Sequence, residues 1–97
     1  MTVTKVKVLG RSIPVEYIPP EELNKIADDT DILGYFCGQR QVIYINNTLP
    51  NEAITRVIYH ETFHATMNIT GLSYLLNDNV EEAISNAMES WIDLKLE

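Results

Sequence analysis

The sequence predicts a small α+β domain: an antiparallel or mixed sheet packed on two long C-terminal helices. Three observations carry this. Residues 3–9 and 12–18 alternate polar and apolar side chains, as half-buried strands do. Residues 41–46 hold the strand-forming run Val42, Ile43, Tyr44, Ile45. Two long segments after Pro50 and Asp78 carry apolar residues at helical spacing and end or begin on capping residues. The chain has 97 residues, the size of one domain spanning 1–97, and holds no internal repeat or linker.

The first two strands flank Gly10 and Arg11 and form a hairpin. Pro14 cannot donate a ladder hydrogen bond, so it argues for an edge position or an early end to the second strand. Pro19 and Pro20 stop the pattern. Residues 20–28 then read as a two-turn helix, with Pro20 in its first turn, Glu21 and Glu22 at the positive end of its dipole, and a stripe of Leu23, Ile26 and Ala27. Residues 32–37 and 41–46 form a second strand pair, turning through Gly38, Gln39 and Arg40. Asn47 or Thr48 caps the next helix, with Pro50 in its first turn; it runs to about Asn68 and stops at Gly71. A last helix runs from about Asn79 to Leu96. The element order is ββαββαα.

Composition narrows the function classes. Hydrophobic residues make up 45% and charged residues 22%, ordinary for a soluble globular protein. No apolar run is long enough to span a membrane. The N-terminus lacks the continuous apolar stretch of a secretory signal, and the one cysteine, Cys37, cannot form an internal disulfide; both point to the cytoplasm. Fourteen acids against seven bases give a net charge of -7, with no basic cluster to neutralise phosphates, so nucleic acid is not an expected partner.

The chemistry concentrates in "RVIYHETFHATMNITG", residues 56–71, which holds the chain's two histidines, His60 and His64. On a helix, residues four apart lie on one face, so both imidazoles can reach one ion. Zinc suits imidazole nitrogen, and a catalytic site pairs three protein ligands with a water. Glu61, roughly 100° around the helix from His60, reaches a water beside the ion without occupying the ion. A zinc-acidified water and a carboxylate that takes its proton are what this spacing provides. Ala53, Ile54, Val57 and Ala65 share the face of these three residues, so the face is expected to be buried. Unpaired polar groups there would each cost roughly 1–3 kcal/mol. A helix with hydrogen-bonded histidines and no metal is the bland alternative.

The third ligand comes from elsewhere, since Thr70 stands six beyond His64 where an extended metzincin motif needs histidine. The donors at hand are Glu81 and Glu82, 17 and 18 residues after His64. Asp78 reads as an N-cap and Glu81, three residues on, as its capping-box partner. Glu82 has no such task, which favours it, with Glu81 as the alternative. One feature opposes Glu82. The apolar stripe Val80, Ile84, Ala87, Met88, Trp91 lies almost opposite to it. A ligand at Glu82 therefore requires the helix to dock by its flank, through Ala83 or Ser85.

With "HETFH" followed by "EAISN" at 82–86, the chain resembles the gluzincin metallopeptidases, and in size and order the minimal zincin-like domains of that type. The same Glu-x-x-x-Asn/Asp spacing occurs in ImmA/IrrE-type peptidases of phages and mobile elements. The resemblance covers residues 34–90. It implies a zinc metalloendopeptidase: one Zn²⁺ per chain on His60, His64 and Glu82, Glu61 as general base, and Asn86 supporting a ligand histidine. It also implies a peptide or protein substrate that pairs with an edge strand, expected here at Val42, Ile43, Tyr44 and Ile45; an open edge serves a weak dimer equally. By residue type alone, Tyr74 and Tyr59 stand as oxyanion donors. A latent or non-catalytic metal-binding module is the second reading.

Overall fold

A computed structural model describes residues 3–72, 75 and 77–95, with side chains to residue 87. Its elements run in the expected order, ββαββαα: β1 (Lys5–Val8), β2 (Arg11–Ile18), α1 (Pro20–Ala27), β3 (Gly34–Cys37), β4 (Val42–Asn46), α2 (Asn51–Thr70) and α3 (Asp78–Lys95). The four strands form one mixed sheet, ordered β1-β2-β4-β3. Among the described residues, no helix is long and apolar enough to cross a membrane.

The first hairpin turns through Leu9 and Gly10, because Arg11 already pairs with Val8. Both turn residues have positive φ, 51° and 84°. That conformation matches the twist of flanking strands and favours Asn-Gly. Leu9 holds it with its side chain 68% exposed, so no packing offsets the strain. Leu9→Asn is therefore expected to stabilise the fold by about 0.5–1 kcal/mol. A urea titration would show a higher midpoint at unchanged slope; a lower midpoint refutes this account of the turn.

Two expectations about strand position are corrected. Pro14 does not mark an edge, because β2 lies between β1 and β4 and continues to Ile18. The Val15 amide donates to the Thr4 carbonyl at 2.9 Å, so by strand alternation Pro14's missing donor faces the other side. Pairing with β4 starts only at Val15↔Ile43, one residue later, and no bond is lost. Nor is β4 an edge. It pairs in parallel with β2 and antiparallel with β3. Ile43 and Ile45 are fully buried, and Tyr44 and Asn46 nearly so. A run of consecutive buried strand formers marks a central strand covered on both faces. The open edges of the sheet are β1 and β3.

The core joins Ile43, Ile45, Phe36, Val15 and Ile13 to Val57, Ile58 and Ala65 of α2. Tyr44 points to the opposite face by strand alternation. There α1 packs on β3 and β4, anchored by fully buried Leu23. Helix α2 starts after an extended Pro50, with no side-chain cap, instead of at Asn47 or Thr48. Asn46 Oδ1 orders the preceding turn by accepting from the Thr48 amide and hydroxyl. Its end is as expected: Gly71, at φ 82°, donates to the Asn68 carbonyl.

At α3 the cap is Asn77, whose Oδ1 accepts from the Val80 amide at 2.8 Å. Asp78 is already helical, so the expected capping box with Glu81 does not form. The helix docks on α2 by its flank. Ser85 is fully buried, while Val80, Ala83 and Ala87 are exposed. The side chains of Met88 and Trp91, and Leu96 altogether, lie outside the described residues. A small residue at 85 lets two helix backbones approach closely enough for the glutamates one turn before it to reach α2.

Candidate metal centre

His60 and His64 meet edge to face one turn apart on α2, ring centroids 5.0 Å apart and planes at 65°. Both turn Nε2 toward Glu82 of α3. His60 Nε2 lies 2.8 Å from Oε1 and His64 Nε2 3.0 Å from Oε2. One donor atom from each of the three residues lies within 4.8 Å of the others. Two imidazole nitrogens and a carboxylate oxygen, converging this closely from two helices, are a zinc-type donor set, which needs bonds of about 2.0–2.2 Å. The residues present therefore fit one ion.

Glu81 does not join this set. Its Oε2 lies 2.5 Å from His64 Nδ1. A carboxylate there accepts a hydrogen bond from Nδ1–H, which favours the tautomer whose Nε2 keeps its lone pair and fixes the orientation of the ring. This is the supporting role expected of Asn86. Asn86, expected to support a ligand histidine, lies exposed and lines a cavity with His60 and Glu82; at His64 both nitrogens face glutamates instead. Glu81 has no capping task, yet the two glutamates differ in place: Glu82 sits between both histidines and Glu81 behind one of them.

Glu61 is 7% exposed. Its Oε1 accepts a hydrogen bond from the Phe36 amide at 3.0 Å. Burial pushes its carboxyl above the ordinary range; His64, His60 and the Phe36 amide oppose this, and Glu82 adds to it. The net effect is a carboxylate with increased affinity for a proton, as a general base requires. The contact with β3 depends on Gly34. A Cβ there would lie 2.5 Å from Val57 Cγ1 and 3.2 Å from Glu61 Cγ. Gly34→Ala is expected to cost about 1–3 kcal/mol by overpacking. Guanidinium denaturation measures it; a change under about 0.5 kcal/mol means that the strand and helix separate freely.

A cleft of about 580 Å³ opens in front of these residues, walled by Gly34, Tyr35 and Phe36 of β3, by α2, and by Glu81 and Glu82. The β3 edge faces it. Leu33 accepts from the Asn46 amide and Cys37 from the Gln41 amide. Residues 33, 35 and 37 thus point their main-chain groups at β4, and by strand alternation Gly34 and Phe36 point theirs outward. The expected substrate strand, Val42–Ile45, is paired on both sides and has no such outward groups; its neighbour Gly34–Cys37 has them, the Phe36 amide being held by Glu61.

Tyr59 is half-buried and lines neither cavity at the cluster; Tyr74 lies outside the described residues. Sequence reasoning passed over Tyr35 and Asn68, which both line the cleft. Burial raises the Tyr35 phenol above its ordinary value, with smaller contributions from Cys37 and Glu61. Asn68 had a legible signal, since it continues the four-residue spacing of His60 and His64. Compared with protein-family models, curated proteins and solved structures, the chain matches none.

Proposed function

We propose that this chain is a small zinc-dependent endopeptidase of gluzincin type, acting on extended peptide segments. The observation that carries the reading is the convergence of His60 Nε2, His64 Nε2 and Glu82 beside a buried Glu61. When bound, zinc supplies Lewis acidity: it polarises the scissile carbonyl and lowers the pKa of water. The residues do the rest. Glu61 takes a proton from the attacking water as the new C–O bond forms. It then gives that proton to the amine as the C–N bond breaks. Its raised proton affinity suits a group that holds the proton between these steps. Glu81 keeps His64 in the ligand tautomer. The outward groups of Gly34 and the Phe36 carbonyl offer main-chain pairing to an extended substrate.

One observation favours the second reading, a latent or non-catalytic metal-binding module. Glu61 already occupies the Phe36 amide, an edge group that a substrate strand would use. Elemental analysis and an assay on unfolded casein separate the readings. The peptidase reading expects about one zinc per chain and cleavage that stops with chelator and returns with zinc. Zinc without cleavage leaves the binding module; no zinc uptake sinks both.

A further inference from the structure

Asn68 lies one turn beyond His64 on α2, and its carboxamide has one orientation. The Gly38 carbonyl can only accept, so the Gln41 atom 2.7 Å from it is the Nε2 amide. The same Nε2 donates to Asn68 at 3.2 Å, so that Asn68 atom is Oδ1. Gln41 Oε1 is left buried without a partner, and turning the amide over would set two oxygens against each other at Gly38. Asn68 Nδ2 is therefore the atom left to the cleft. It sits over Gly38, 3.2 Å from where a Cβ would be, and has no acceptor among the described residues.

Gly38 follows Phe36 by two residues, the period at which β3 presents main-chain groups to its open edge. At that register the strand has turned, and the Gly38 carbonyl is already occupied by Gln41. An extended chain pairing with Gly34 and Phe36 would find no strand partner there. It would find the Asn68 amide.

We propose that Asn68 is a substrate-binding residue whose Nδ2 donates to a main-chain carbonyl of the peptide lying along β3, continuing the strand's pairing where the strand ends. This rests on the peptidase reading for its ligand class, an unstructured polypeptide, but not on catalysis. Main-chain recognition makes the contact independent of sequence.

The test uses zinc-loaded Glu61→Gln protein, immobilised and exposed to a mixed-sequence library of unstructured decapeptides, with retention read by mass spectrometry. Adding Asn68→Asp keeps the oxygen that faces Gln41 and replaces the donor with an acceptor. Retention is expected to fall about tenfold or more across the library, with zinc content and melting temperature unchanged. Gly38→Ala, which crowds the same amide, should lower retention in the same uniform way. Equal retention with and without Asn68→Asp overturns the inference. So does a loss confined to peptides sharing one side-chain type, a loss that tracks lost zinc, or no retention by the parent protein. If wild-type protein cuts nothing while retention still depends on Asn68, the peptidase reading falls and this inference stands.

Discussion

Glu61→Gln is expected to keep the metal and lower peptide hydrolysis by roughly 10²–10⁴-fold, the span typical of removing a general base. Glutamine has the shape of glutamate and retains an oxygen for the Phe36 amide, 3.0 Å away. It removes no donor atom from His60, His64 or Glu82. Zinc content should stay near one per chain while turnover falls; turnover that survives the change excludes Glu61 as the base. The same variant has a signature in the metal-free protein. Glu61's folded-state pKa lies above the ordinary 4.5 because burial disfavours the charge. The folded state thus binds that proton more tightly than the unfolded chain. Its contribution to stability is fully present below 4.5 and is lost as pH rises through the elevated folded value. Glutamine stays neutral throughout. Metal-free Glu61→Gln protein should therefore gain stability relative to wild type as pH rises from 4 toward 8. A difference that shrinks over that range contradicts the burial argument.

The second large effect separates the two glutamates. Removing Glu81 leaves His64 free to turn and to change tautomer, and losing such a supporting carboxylate weakens metal binding by roughly 10–100-fold. Removing Glu82 takes away the carboxylate whose Oε1 faces His60 Nε2 and whose Oε2 faces His64 Nε2. Glu82→Ala is thus expected to weaken zinc binding more than Glu81→Ala does. Competition with a chromogenic chelator gives both affinities, and the reverse order refutes the assignment. Asn86→Ala, which loses no bond to His64, should leave zinc affinity within about twofold, a change of about 0.4 kcal/mol.

Much of this was legible along the chain because its causes are local. The α2 segment shows its helical period, its closing Gly71 and the four-residue spacing of His60 and His64. The α+β class followed from two strand pairs and two long helices, and all seven elements occur in the expected order. Local signals also misled. Pro14 implied an edge by a rule that asks only whether a donor is missing, whereas the register makes that donor unnecessary. Asp78 and Asn77 are both cap-forming types side by side, and the cap bond belongs to Asn77.

Read along the chain alone, the residues already name the polar groups of the site: two imidazoles and a carboxylate on one helix, and a pair of glutamates on the next. The sequence also sets their spacing, because a helix repeats every 3.6 residues whatever surrounds it. The division of labour was decided only in three dimensions. Glu81 and Glu82 differ by 100° of helix rotation, and the burial of Ser85 against α2 selects which of them reaches both histidines. Which strand forms the open edge beside the cleft was decided in the same way. Strand order depends on which neighbours bury Val42–Asn46, and these are β2 and β3, distant and adjacent in the chain. A residue's type is a local property; its partner is a property of the packed whole.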